Sequence, residues 1–148
     1  MAEIFKINLE REAFRAKIAA RWNATIDITN TGRPVDVILS PVAPTLAPPH
    51  DTTSWWGYTS YWNLMDYPGV VFPVDQFRAH SYVPVDLPGG VILPKEPRNN
   101  VEKGIMDRWD APTYDNAPIS LQLIGRRLNE EKLLAILNVV EKALHPKE

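Results

Sequence analysis

The sequence predicts an α/β fold: a short mixed sheet of about three strands, flanked by helices and joined by long proline-rich loops. Three observations carry this prediction. Segments with helical apolar spacing stand at both ends of the chain. Three short apolar runs bounded by proline, glycine or polar residues lie between them. Fourteen prolines, concentrated between Pro34 and Pro118, break the middle into irregular stretches.

Taken in order, Asn8 is placed to cap a helix beginning at Leu9, and Phe14, Ile18, Trp22 and Ile26 recur every fourth residue. A helix of about 20 residues ending near Gly32 is expected. Pro34-Val-Asp-Val-Ile-Leu-Ser40 reads as a strand buried on both faces, the kind found in parallel or mixed sheets. Pro41, Pro44, Pro48 and Pro49 then forbid regular structure.

Trp55, Trp56, Tyr58, Tyr61 and Trp62 place five aromatics in eight positions, and Thr59 or Ser60 is suited to cap a short helix through Met65. Gly69 to Val74 reads as a second strand with a proline near its end. Residues 75 to 116 hold few periodic apolar positions and read as one long excursion, of the kind that is functional or covered by a partner. Pro118 to Gly125 alternates Ile119, Leu121 and Leu123 with Ser120 and Gln122, which predicts a third strand with one more polar face. Asn129 is expected to cap a last helix with Glu130 and Glu131 in its first turn. Leu133, Ile136, Leu137, Val140 and Leu144 form its apolar stripe, and Pro146 ends it.

At 148 residues the chain is the size of one domain, 1–148, long enough to bury roughly 70% of the surface an unfolded chain exposes. Hydrophobic residues make up 45% and charged residues 23%, which excludes a disordered composition. The net charge of -2 is spread without a basic cluster, so nucleic acid and anionic membrane are not expected partners. With no cysteine, disulfides and thiolate metal sites are excluded, which suits a reducing compartment. No apolar run approaches the ~18 residues of a spanning helix, and a cytoplasmic protein is expected.

Acyl transfer needs a nucleophile beside a base and donors for an oxyanion. Ser40, Ser54, Ser60, Ser81 and Ser120 lie in no Gly-x-Ser-x-Gly elbow and no Ser-x-x-Lys pair. Ser40, at a strand end, is the one serine placed where α/β sites often form, although capping is the commoner use of such a serine. His50, His80 and His145 share no helix and no metal-ligand spacing. His50-Asp51 has the order of an oriented general base but follows Pro48-Pro49, where a surface turn is commoner. Asp66, Asp75, Asp86, Asp107 and Asp110 are not paired as acid and base. No catalytic residue, metal site or cofactor is assigned.

Three segments together resemble the C-terminal third of amidase signature enzymes, most closely the fungal acetamidase-like branch. They are Pro34-Val-Asp-Val-Ile-Leu-Ser-Pro-Val-Ala-Pro44, Ser60-Tyr-Trp-Asn-Leu-Met-Asp-Tyr-Pro-Gly-Val-Val-Phe-Pro-Val74 and Ala117-Pro-Ile-Ser-Leu-Gln-Leu-Ile-Gly-Arg-Arg127. The likeness runs from about Phe14 to the last helix and implies part of an amidase signature fold. That family hydrolyses carboxylic amides with a serine nucleophile, a second serine and a lysine, held in a Gly/Ser-rich region and upstream of it. No such region occurs in this sequence. The resemblance therefore implies a chain inactive alone, which needs a complementing amidase polypeptide or forms a homo-oligomer. The alternative is a non-enzymatic interaction or oligomerisation module derived from an amidase. Within the intact enzyme, Trp55, Trp56, Tyr58, Tyr61 and Trp62 are candidate pocket-wall residues. The spacing of Tyr58, Tyr61 and Trp62 is equally that of a helical packing face.

Overall fold

The computed structural model describes residues 2–81 and 96–146. Asp86 and the middle of the proline-rich excursion lie outside the described residues. Among the described residues, four α-helices and three strands follow one another as α1 (Ala2–Ala24), β1 (Ile38–Pro41), α2 (Gly57–Met65), β2 (Gly69–Gln76), α3 (Asn100–Met106), β3 (Pro118–Ile124) and α4 (Glu130–Leu144). The strands form one sheet in the order β1-β3-β2. The fold is a small α/β arrangement, and its sheet is antiparallel where the sequence pattern pointed to a mixed one. The β2–β3 register shows this directly. Gly125 N–H donates to Pro68 O at 2.9 Å and Asn116 N–H to Phe77 O at 3.0 Å, so residue numbers rise along one strand as they fall along the other.

The difference has a physical reason in β1. A strand buried on both faces suits a parallel sheet, but β1 alternates half-buried and exposed positions, with Leu39 56% exposed. It is also shorter than its apolar run. Val35 spends its backbone elsewhere, accepting from Trp22 Nε1 at 2.7 Å and donating to Thr25 Oγ1 at 2.9 Å. Both bonds tie residue 35 to the end of α1, so strand pairing begins only at Ile38.

β2 is the other edge. Val70, Phe72 and Val74 turn inward while Gly69, Val71 and Pro73 are exposed, so Pro73, which has no N–H to donate, stands where an unpaired edge tolerates it. β3 lies between the two. Its polar positions are not a solvent face: Gln122 is 4% exposed, and Leu123 and Ile124 are buried with it.

The described residues form two compact units. The first comprises the chain up to Ser40, Ser60–Val70 and residues from Leu123 onward. Its buried residues are Trp22, Met65, Leu123, Ile124, Gly125 and Leu133. α1 starts six residues before the expected cap, leaving Asn8 inside the helix, because no proline or glycine interrupts residues 2 to 8 and Glu3 suits the first turn. It ends at Ala24, before a short 3-10 turn over Thr25–Ile28, with Gly32 in the left-handed region (φ 67°) beyond it. The four-residue apolar repeat is only partly buried. At 3.6 residues per turn each step of four drifts by about 40°, so Trp22 is buried while Phe14 rotates toward solvent, and Ile26, beyond the helix in the 3-10 turn, is exposed.

Arg15 ties α1 to the end of α2, donating to Met65 O at 3.0 Å and to Asp66 Oδ2 at 2.9 Å. α4 begins where expected but without the predicted side-chain cap. Asn129 Nδ2 instead donates to Arg127 O at 2.9 Å, steadying the turn in which Leu128 has a positive φ of 59°. Of the predicted stripe, Leu133 is buried, Ile136, Leu137 and Val140 are half-buried, and Leu144 is exposed.

The second unit comprises Pro41–Thr59 and the described residues of Val71–Gln122, with Phe72, Phe77, Tyr114 and Gln122 buried. The region read as one irregular excursion contains α3 and two 3-10 turns, Ala79–Ser81 and Ala111–Tyr114. α3 is capped by Asn99, whose side chain accepts from Glu102 N–H at 2.9 Å, while Glu102 Oε2 accepts from Arg98 N–H at 2.6 Å.

Candidate functional site

Within the second unit, the loop from Pro41 into α2 folds around a cavity of about 200 Å³. The loop is irregular because of its prolines but is not free. A turn closes from Pro49 to Thr52, with Asp51 at φ 60°, and Thr52 Oγ1 donates to Pro49 O at 2.7 Å. Arg108, just beyond α3, then donates to Thr52 O at 2.5 Å and to Ser54 Oγ at 2.8 Å. These two bonds hold the loop against the residues after α3. Where α2 starts, the Thr59 N–H and Oγ1 both donate to Trp56 O, at 3.0 and 3.1 Å, which removes the need for the expected cap at Thr59 or Ser60.

Tyr114 lines the same cavity. It is buried and stacks on Trp109 with centroids 4.9 Å apart, and Trp109 meets Phe77 edge-on at 5.7 Å. Asp110 sets the turn that carries Tyr114 by accepting from Thr113 N–H at 3.2 Å and Thr113 Oγ1 at 2.6 Å. The walls are mainly apolar, from Val42, Pro44, Trp55, Trp56 and Ile105, with hydroxyls from Thr52, Ser54 and Thr59 and the Arg108 guanidinium as polar groups. Among the described residues, no carboxylate, imidazole or lysine lines the cavity. Ser54 therefore has a cationic hydrogen-bond donor at its oxygen but no base in the cavity to take its proton. The arrangement can enclose an apolar group and fix one polar end. Among the described residues it contains no complete acyl-transfer centre.

A second, wider cleft of about 790 Å³ lies between α3 and the same loop, lined on one side by Pro44, Trp55 and Tyr58 and on the other by Val101, Ile105 and Met106. Arg98 and Glu102 stand at this cleft, paired at 3.0 Å. The hydrogen bond from the Arg98 side chain, aided by that from its backbone N–H, holds the Glu102 carboxyl below the usual range.

The five candidate pocket-wall aromatics divide. Trp55 and Trp56 line the smaller cavity, and Trp55 and Tyr58, edge-on at 5.4 Å, line the cleft. Tyr61 and Trp62 line neither and belong to the first unit. There Tyr61 meets Phe14 edge-on at 6.3 Å, and Trp62 meets Tyr61 at 4.8 Å and stacks with Tyr67 at 6.4 Å. Of the serines, Ser54 reaches the cavity, Ser40 and Ser120 lie in β1 and β3, Ser60 is exposed on α2, and Ser81 ends a 3-10 turn. His50, His80 and His145 are exposed on separate segments, and among the described residues no three His, Asp or Glu side chains gather as a metal site. Among the described residues no helix is long and apolar enough to cross a membrane.

Sequence reasoning missed Arg108, Ile105 and Tyr114, since all three lie in the stretch read as irregular. One signal was present: Asn99 followed three residues later by Glu102 is the pattern of a capped helix start.

Comparison with known proteins agrees with the segments that carried the resemblance. The amidase family model matches residues 2–134. An amidase of Gibberella zeae is 34% identical over 143 residues, covering 97% of this chain and 26% of the relative. An acetamidase of Aspergillus oryzae is 31% identical over 145 residues, covering 96% of this chain and 24% of the relative. Among solved structures, a fatty acid amide hydrolase shares the fold with a TM-score of 0.77 at 23% identity, over 98% of this chain and 24% of the other. The chain thus spans about a quarter of the length of the relatives it matches, consistent with their C-terminal portion. On the strength of the match across residues 2–134, the chain belongs to the amidase family.

Proposed function

We propose that this chain forms the pocket-wall portion of a carboxylic amide hydrolase whose serine, serine and lysine centre is supplied by other amidase sequence. The observation that carries the reading is the cavity walled by Trp55, Trp56 and Tyr114, which can hold the apolar part of an amide but where no described residue is a base beside Ser54. The family match and the quarter-length coverage support it.

The complementing partner belongs to the same proposal. Ile4, Phe5, Ile7 and Leu9 are between 57% and 73% exposed on the first half of α1, and so many large apolar side chains exposed within six residues are better accommodated against a partner than against water. A cytoplasmic location, suited by a cysteine-free sequence, completes the reading.

The test is complementation. The purified chain should not hydrolyse aliphatic or aromatic amides, and turnover should appear when it is co-expressed with the remaining, Gly/Ser-rich part of an amidase relative. Hydrolysis by the chain alone, abolished by Ser54→Ala, would overturn the proposal. Sedimentation of the chain alone as a self-associating species that the complementing polypeptide does not dissociate would instead favour a homo-oligomeric interaction module.

A further inference from the structure

The smaller cavity and the wider cleft of the second unit share three lining residues, Pro44, Trp55 and Ile105. Trp55 is the bulkiest of them and the only aromatic one. Its position depends on its neighbour but one. A Cβ added to Gly57 would stand 1.9 Å from Trp55 Cζ2, with Cη2 at 2.3 Å and Cε2 at 2.6 Å, far inside the closest approach of non-bonded carbons. The indole therefore lies flat on the bare backbone of Gly57, and Tyr58 meets it edge-on at 5.4 Å. Gly57 is not in the left-handed region, since the only glycine with positive φ among the described residues is Gly32. The absence of a side chain at 57 is thus used for close approach rather than for backbone conformation.

The two spaces differ in what they hold. At about 200 Å³ the inner cavity is below the roughly 300–1,000 Å³ of pockets that enclose drug-sized ligands, whereas the cleft, at about 790 Å³, lies within that range. The cleft's inner wall is apolar, from Val101, Ile105 and Met106.

We propose that Trp55, seated on Gly57, is the partition that limits the amide pocket to short acyl groups, and that the α3 cleft is the room an alkyl chain would enter if the indole were displaced. This rests on the amide-pocket reading above. The partition is a specificity device, and it takes no part in the chemistry. Its ligand class is the aliphatic primary amides, sorted by chain length.

Binding to the purified full chain tests this without requiring turnover. Calorimetric titration with butanamide and octanamide would be run on the wild type, Trp55→Ala and Gly57→Ala, with far-UV circular dichroism as a check of folding. The wild type should bind octanamide no more tightly than butanamide. Both variants should bind octanamide at least about tenfold more tightly than the wild type, since burying two further methylenes suffices for that change. Butanamide, which loses the Trp55 wall, should bind no more tightly to either variant than to the wild type.

Gly57→Ala is the decisive variant. It keeps the indole and favours the helix, so it acts only by unseating Trp55. Should Trp55→Ala lose its circular dichroism, Trp55→Leu replaces it. Unchanged octanamide affinity in both variants, with butanamide still bound, would overturn the partition and leave the amide pocket standing. Failure of every protein to bind either amide would overturn both.

Discussion

The guanidinium of Arg126 lies over the ring of Trp22, 5.0 Å from its centroid, and these two residues close the first unit between α1 and the end of β3. Trp22 is buried and donates to Val35 O. Arg126 Nη1 donates to Asn23 Oδ1 at 2.7 Å, and its buried Nη2 has no partner among the described residues. The two side chains should therefore differ sharply in what they contribute. Trp22→Ala should cost about 3–5 kcal/mol in a urea unfolding series through the lost ring volume. Arg126→Met keeps an apolar cover on the ring and removes the unpaired nitrogen, giving up a cation–ring attraction of about 0.5–2 kcal/mol. Equal losses from the two would show that the ring is not the centre of this packing.

Gln122 offers a second test. Its Nε2 donates to Pro41 O at 2.7 Å and to Tyr58 O at 3.1 Å, so one buried amide joins the end of β1 to the start of α2. Gln122→Met keeps the length but removes the amide donor to both carbonyl oxygens, and in a urea unfolding series it should cost about 1–3 kcal/mol.

Gln122→Glu makes the same site sensitive to pH. The introduced carboxyl, buried against two carbonyl oxygens, should have a raised folded-state pKa. Its stability should then be fullest below the unfolded carboxyl pKa of about 4.3 and be lost as pH rises through the folded value. Thermal unfolding of the variant across a pH series checks this, and a midpoint that does not fall relative to the wild type as pH rises would contradict it.

Asp36 should contribute the opposite dependence. The hydrogen bond from Lys132 Nζ, at 2.5 Å, holds its carboxyl below the usual value. The stabilisation is present above the unfolded pKa of about 3.9 and is lost as pH falls through the folded one. Both side chains are substantially exposed, so solvent screening limits the effect to less than about 1 kcal/mol. Asp36→Asn should abolish that part of the acid limb in a pH-dependent unfolding series while changing little at neutral pH beyond this amount.

The cap of α3 should control the cleft beside it. Asn99→Ala removes the acceptor for Glu102 N–H and should cost about 1 kcal/mol, concentrated in a seven-residue helix with little length to spare. Amide hydrogen exchange should accelerate in Asn100–Met106 with β3 unchanged, and uniform acceleration throughout the chain would argue against a local effect.

Local physics made much of this protein legible in its sequence. Apolar periodicity marked α4, a proline near the end of Gly69 to Val74 marked an edge strand, and three strand-centred segments identified the family on their order and spacing. Those signals are short-range, set by residues within a turn or a strand of one another. Tertiary structure decided what depends on residues far apart. Val35 left strand pairing because Trp22 and Thr25, ten and more residues earlier, take its backbone groups. Gln122, whose alternation reads as solvent-facing, is buried because the start of α2 approaches that position, with Pro41 O and Tyr58 O accepting from its amide. The aromatic run from Trp55 to Trp62 is continuous in sequence, yet its first three members line cavities and its last two pack with Phe14 and Tyr67. Tyr58, Tyr61 and Trp62 share one helical face by spacing, so local geometry cannot separate them. The residues each meets, Trp55 for Tyr58, Phe14 for Tyr61 and Tyr67 for Trp62, determine which aromatic is wall and which is core.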